Sequence, residues 1–211
     1  MKLCMFSPRE LDLERGWPGR VEGDTVVQLA AQTLQSFFTG GGRAREHAVF
    51  PLADVVLRAP VLHPPSVRIF DSADDFRFAN PAAVVGPDEV VFLPESAEEL
   101  VPVFRWVAIV GAEGSIGAYT QLLEWTAPAL AGEKRHDFAL SLGPTAMTPD
   151  PMHVERPDWE PLLAQAALNT RLLPGDLVAS PGSSREPVRA GASGEVSLPP
   201  FGVLRNPVAA R

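Results

Sequence analysis

The chain alternates short apolar runs with clusters of Pro, Gly and Asp, a rhythm that predicts many brief strands joined by tight turns. "MKLCMF" reads as an opening strand. "GRVEGDTVVQLAA" reads as a hairpin bent near Gly23-Asp24, and "AAQTLQSFF" carries apolar residues at helical spacing. "TGGGRAREH" is a flexible link and marks a boundary. It divides a small hairpin-and-helix piece, residues 1–45, from a larger domain, residues 46–211. "VFPLADVVLRAPV" and "AAVVGPDEVVFLP" are β-branched runs bounded by breakers, hence strands. "VPVFRWVAIVG" is nearly continuous in apolar residues, as a strand buried on both faces would be. "GAYTQLLEWTAPAL" fits strand or helix, and "FALSLGPTAMT" fits a strand pair around Gly143-Pro144. "DWEPLLAQAALNTRLLPGD" is the clearest helix, with Leu162, Leu163, Ala166, Ala167 and Thr170 on one face. "DLVASPG" and "SGEVSLPPFGVLRNPV" close the chain as strands. The count predicts a β-rich α+β fold with few short helices. Its core is expected from Val55, Val56, Leu57, Val84, Val85, Val90, Val91, Val107, Ile109, Val110, Leu177, Val178 and Val203.

Composition narrows the function more than the fold. With 211 residues the chain holds one large domain or a domain with a small appendage. The formal net charge of −8 excludes broad nucleic-acid binding, which needs a basic face. No apolar run is long enough for a membrane span, and the start turns charged too soon for a secretory signal. The single cysteine, Cys4, excludes an internal disulfide and suits a reducing cytoplasm, where it reads as a small apolar residue of the first strand.

Six segments, taken in order, resemble the fumarylacetoacetate hydrolase family. "GDTVVQLAA" resembles that family's N-terminal piece, and "LADVVLRAPV" the entry to its catalytic domain. "FANPAAVVGPDEVVFLP" is similar to a stretch beginning Phe-x-Lys-Pro, with Asn80 where Lys is usual. "KRHDFALSLGPTAMTPD" is similar to Lys-Ser-x-Asp followed by a spacer and Gly-Pro. "LLPGDLVASPG" and "FGVLRNPV" resemble the two closing motifs. The resemblance implies a β-roll of mixed sheets, usually dimeric. It also implies a divalent metal, commonly Mg²⁺, held by three carboxylates. That ion chelates small 2-oxo or 1,3-dicarbonyl acids and stabilises an enolate during cleavage, decarboxylation or isomerisation.

The residues that would do this chemistry are mostly replaced. The Glu-x-Glu pair that the family places on one face of a strand falls at Val103 and Arg105. The third carboxylate falls at Glu124, and one carboxylate alone is a poor site for Mg²⁺. The lid with its His-Glu pair has no counterpart, because "SVRIFDSADDFRFANP" passes straight across. "DSADD" lacks the spacing of a Ca²⁺ loop and reads as solvated, as does His63 between two turns. "MHVERPDWEPLL" leaves no room for the usual Asn-Gly hairpin. Lys134 and Asp137 match the family motif, with Lys134 where the active-site Lys stands. They fit a retained pocket role and a plain surface loop equally, and His136 lies between them. Ser180 and Tyr119 are candidate substrate contacts, although Ser180-Pro181-Gly182 also fits a simple turn.

Two functions follow. One is a homologue with an eroded metal site and no metal cofactor, which binds a small carboxylic acid or serves as a structural subunit. The other is a divergent hydrolase, decarboxylase or isomerase of small 2-oxo or diketo acids that uses Lys134, Glu124 and Asp137, with Mg²⁺ as its metal. Either is expected to be a cytoplasmic homodimer with no nucleic-acid or membrane partner. If the alignment holds, Arg105 pairs with Glu124 where a metal would otherwise sit.

Overall fold

A computed structural model describes residues 1–150 and 155–211. Its strands in chain order begin with β1 (Lys2–Pro8), β2 (Trp17–Glu22) and β3 (Thr25–Leu29), followed by helix α1 (Leu34–Thr39). Then come β4 (Glu46–Pro51), β5 (Val55–Arg58), β6 (Val67–Phe70), β7 (Phe76–Ala79), β8 (Val84–Val85) and β9 (Val91–Phe92). Two long strands follow, β10 (Glu99–Val110) and β11 (Ile116–Thr126), then β12 (Leu140–Leu142) and β13 (Ala146–Met147). Helix α2 (Trp159–Ala167) leads to β14 (Leu177–Ala179), β15 (Ser183–Ser184), β16 (Val188–Arg189), β17 (Ser193–Leu198) and β18 (Gly202–Ala209).

Among the described residues most strands join one large sheet along the path β4-β3-β2-β1-β13-β11-β10-β14-β6-β7. The pairing is mostly antiparallel, but β14 runs parallel to β6 and β12 parallel to β8, so the sheet is mixed. A smaller sheet runs β17-β18-β9. β1 pairs with β2 along one edge and with β13 and β5 along the other, so residues 1–45 and 46–211 share a sheet.

The β10–β11 hairpin organises the centre. Its register sets Val103 opposite Glu124 and Arg105 opposite Leu122. The "GAYTQLLEW" stretch is therefore strand, because its alternate residues fill two separate clusters. Ala118 and Leu122 enter one and Leu123 and Trp125 another. Both helices are short and capped. The Thr33 side chain accepts from the Ser36 backbone at α1, and Asp158 accepts from Glu160 at α2.

Some expectations are corrected. Val203 is 49% exposed, because it alternates along β18 with buried Leu204 and Asn206 and so takes the outer face. Val90 is 42% exposed, since it precedes β9 rather than lying in it. Val56, Leu57 and Val85 are half-buried, while the other eight expected core residues are buried. On α2 the buried face is Trp159, Leu162 and Ala166. Ala167 is exposed and Thr170 lies beyond the helix, which stops before Asn169 in the left-handed region at φ 58°. Part of the shortened "MHVERPDW" stretch, residues 151–154, lies outside the described residues.

Candidate functional site

Arg105 and Glu124 meet on neighbouring strands. They are diagonal partners across the β10–β11 register, close enough for long side chains to touch on one face of the sheet. Arg105 Nε donates to Glu124 Oε2 at 2.8 Å, and the Glu124 side chain is only 1% exposed. The rest of the guanidinium is also used. Nη1 donates to the Phe70 carbonyl at 2.7 Å and to the Ser180 carbonyl at 3.0 Å, and Nη2 donates to Asp71 Oδ1 at 3.1 Å. This planar fork meets acceptors on every side, which a Lys could not do.

A second guanidinium comes from β7. Arg77 Nη2 donates to Glu124 Oε1, so each oxygen of the carboxylate faces an arginine. Asp71, just after β6, lies 4.0 Å from Arg77 Nε as well as bonding Arg105. His136 Nδ1 lies 3.6 Å from the same Glu124 oxygen and 3.5 Å from Thr126 Oγ1. The network thus holds two fixed cations, two carboxylates and one titratable ring. Burial lowers the pKa of both arginines, and Asp71 opposes that shift. An arginine starts so high that both stay charged. Burial also lowers the pKa of His136, helped by the nearby charges of Arg77 and Arg135, so its ring is neutral at pH 7.

A glycine makes room for this arrangement. A Cβ on Gly182 would lie 2.8 Å from Arg105 Cγ and 2.7 Å from Val103 Cγ1. The 180–182 turn can press against β10, and bring the Ser180 carbonyl to Arg105, only because position 182 has no side chain.

The other expected site residues lie around or away from this network. Lys134 is 79% exposed and pairs with Asp137 at 2.6 Å, so these two meet each other and not Glu124. From their loop it is His136 that reaches Glu124. Asn80 donates to the Asp137 carbonyl at 3.0 Å, so the loop stays docked where the resemblance puts a Lys. Ser180 is buried, with its hydroxyl on the Pro181 carbonyl and its own carbonyl on Arg105. Tyr119 is an odd number of residues from Glu124 on β11 and faces the other side, against Trp159 at a ring distance of 5.5 Å. Sequence reasoning missed Arg77, and it read Asp71 as solvated, whereas Asp71 accepts from Arg105. The available signal was Phe76-Arg77-Phe78, a lone charge between aromatics on a strand next to the acidic run.

The sequence matches no family model and no curated protein. Solved structures do match over the whole chain. Maleylpyruvate hydrolase from Sphingobium sp. SYK-6 superimposes with a TM-score of 0.79 at 19% identity, covering 100% of both chains. The 5-carboxymethyl-2-hydroxymuconate delta-isomerase from Mycobacterium smegmatis gives 0.77 at 20% identity, again over 100% of both chains. A 2-keto-3-deoxy-D-arabinonate dehydratase complexed with magnesium and 2,5-dioxopentanoate gives 0.80 at 15% identity, covering 100% of this chain and 99% of its own.

This chain has a fumarylacetoacetate hydrolase-like fold.

At such identities the likeness is one of fold, and function is argued from the site. The hydrolase has also been crystallised with manganese(II) and pyruvate, so this fold takes a divalent metal in that protein. Among the described residues here, no group of three or more His, Cys, Asp or Glu is arranged to hold a metal ion. No helix of the described residues is long and apolar enough to cross a membrane.

Proposed function

We propose that this chain is a metal-independent homologue of the oxo-acid enzymes whose fold it shares, without their metal chemistry, and that it serves as a small-acid binder or structural subunit. The observation that carries this reading is the double arginine clamp on Glu124. The donor set does not fit a divalent cation. Both Glu124 oxygens already meet guanidiniums, and Arg105 stands where the resemblance places a second carboxylate. An incoming Mg²⁺ or Mn²⁺ would face two fixed positive charges. The reading carries with it a homodimer in the cytoplasm, the latter supported by a lone, buried thiol, Cys4.

The test is turnover of oxaloacetate and an acylpyruvate with added Mg²⁺ or Mn²⁺. The expected rate equals buffer. Turnover above buffer that chelator removes would overturn the reading.

A second reading has one observation in its favour. Lys134 and Asp137 line a cavity of about 340 Å³ with Val91, Phe92, Leu130 and Phe138. On this reading the chain is a divergent hydrolase, decarboxylase or isomerase of a small oxo acid. Lys134, Asp137 and Glu124 work at the acid, Ser180 and Tyr119 contact it, and Mg²⁺ is the metal. Turnover that disappears in Lys134→Ala would favour it.

A further inference from the structure

We propose that a groove on the far face of β1 is a binding site for a carboxylate with an apolar body, separate from the Arg105–Glu124 network. β1 packs two ways. Leu3 and Met5 enter the central core, whereas Cys4 and Phe6 point to the opposite face and build a satellite cluster with Val26 and Val55. That cluster is not closed. Its half-buried rim, Leu52 and Leu57, opens into a cavity of about 450 Å³ whose other wall is Phe201 and Val203 beside the β17–β18 turn. This volume lies in the range of roughly 300–1,000 Å³ typical of small-molecule sites.

The charges on the groove select its ligand. Lys2 shares the Cys4–Phe6 face and stands at one end, and Arg9 stands just past the other end of β1. Seven residues at ~3.3 Å each separate their backbones by about 23 Å, so a cation guards either end of an apolar middle. No ion pair among the described residues involves Lys2 or Arg9, although the chain carries a net charge of −8. Arg9 Nε is fixed on the Ala53 carbonyl at 3.0 Å, which orients the rest of its guanidinium. Asp88 on the wall is held by Arg205 at 2.9 Å and so does not neutralise either cation. Two unpaired cations flanking an aliphatic trough fit a medium-chain carboxylate, its head on one cation and its body against Leu52, Leu57 and Val203.

Octanoate and uncharged 1-octanol are the probes, titrated by calorimetry and saturation-transfer NMR against the full chain. Octanoate binds and octanol binds much more weakly. Lys2→Gln or Arg9→Gln lowers octanoate affinity by about tenfold or more, according to which end takes the head group. Val203→Trp, at a position already 49% exposed, fills the groove and abolishes binding. Arg9→Gln, also at an exposed position, keeps the test readable should the Trp variant fail to fold. Absence of octanoate binding at millimolar concentration, or binding that all three variants retain, overturns the proposal. So does a wild-type dimer in sedimentation that Val203→Trp dissociates, because a second copy then covers the groove.

Discussion

Arg105 is buried, and its charge is tolerable there because Nε, Nη1 and Nη2 each meet an acceptor. Removing one member of such a buried pair strands the other, which costs about 3–5 kcal/mol, whereas removing both costs far less. Arg105→Met is therefore expected to lower unfolding free energy by about that amount in urea melts, and Arg105→Met/Glu124→Met to cost less than the two single losses added together, although Arg77 then keeps only Asp71. Additive losses would mean the two are not coupled. Arg105→Glu, which places like charges together, is expected to be at least as damaging as Arg105→Met. Lys134→Ala is the contrast: an exposed ion pair is worth only ~0–1 kcal/mol, so its melt should barely move. Cys4, with its thiol pushed up to about 12 by burial, is expected to resist a thiol reagent until the protein unfolds. The Arg105–Glu124 pair was legible in the sequence because the resemblance fixed both positions and opposite charges explain each other. Arg77 was not, since its target lies 47 residues away and nothing in "FRFAN" says which face of β7 turns inward.

Between elements, three segments converge on one carboxylate: the β10–β11 hairpin, β7, and the loop holding His136. The 180–182 turn closes the set, and its glycine is the tightest fit. Gly182→Ala must displace Val103 or Arg105, so a loss of about 1–3 kcal/mol is expected, with a weakened Arg105–Ser180 contact. The His136 loop adds a pH dependence. The folded-state pKa of His136 lies below its ordinary 6.5, chiefly through burial. The unfolded chain then binds this proton more readily, so stability falls as pH drops below about 6.5 toward the folded value. His136→Gln should flatten that part of the curve; a profile unchanged by the substitution would place the transition elsewhere. Element types were largely readable from runs and breakers. Faces were less so: Val203 takes the outer face of β18, alternating with buried Leu204 and Asn206, and Ala167 is the last residue of a nine-residue helix and lies in solvent.

At the level of the whole molecule, the fold matches the solved structures over the whole chain, and on the proposed reading its centre holds ion pairs in place of a metal. A mixed sheet shared by residues 1–45 and 46–211 carries at its centre a closed set of ion pairs among Arg77, Arg105, Asp71 and Glu124. Sequence patterning could reach the architecture because apolar runs bounded by Pro, Gly and Asp mark most of the strands. It could not reach the clamp's second arginine, or the cationic groove along β1, because both depend on segments distant in sequence. The most direct test of the central claim is a Mn²⁺ titration of the chelator-treated protein, read by electron paramagnetic resonance and by thermal melting. Specific binding to the native state must raise the melting temperature. With both Glu124 oxygens held by arginines, no saturable binding and no rise are expected. Saturable binding with a rising melting temperature, lost in Glu124→Gln, would contradict it.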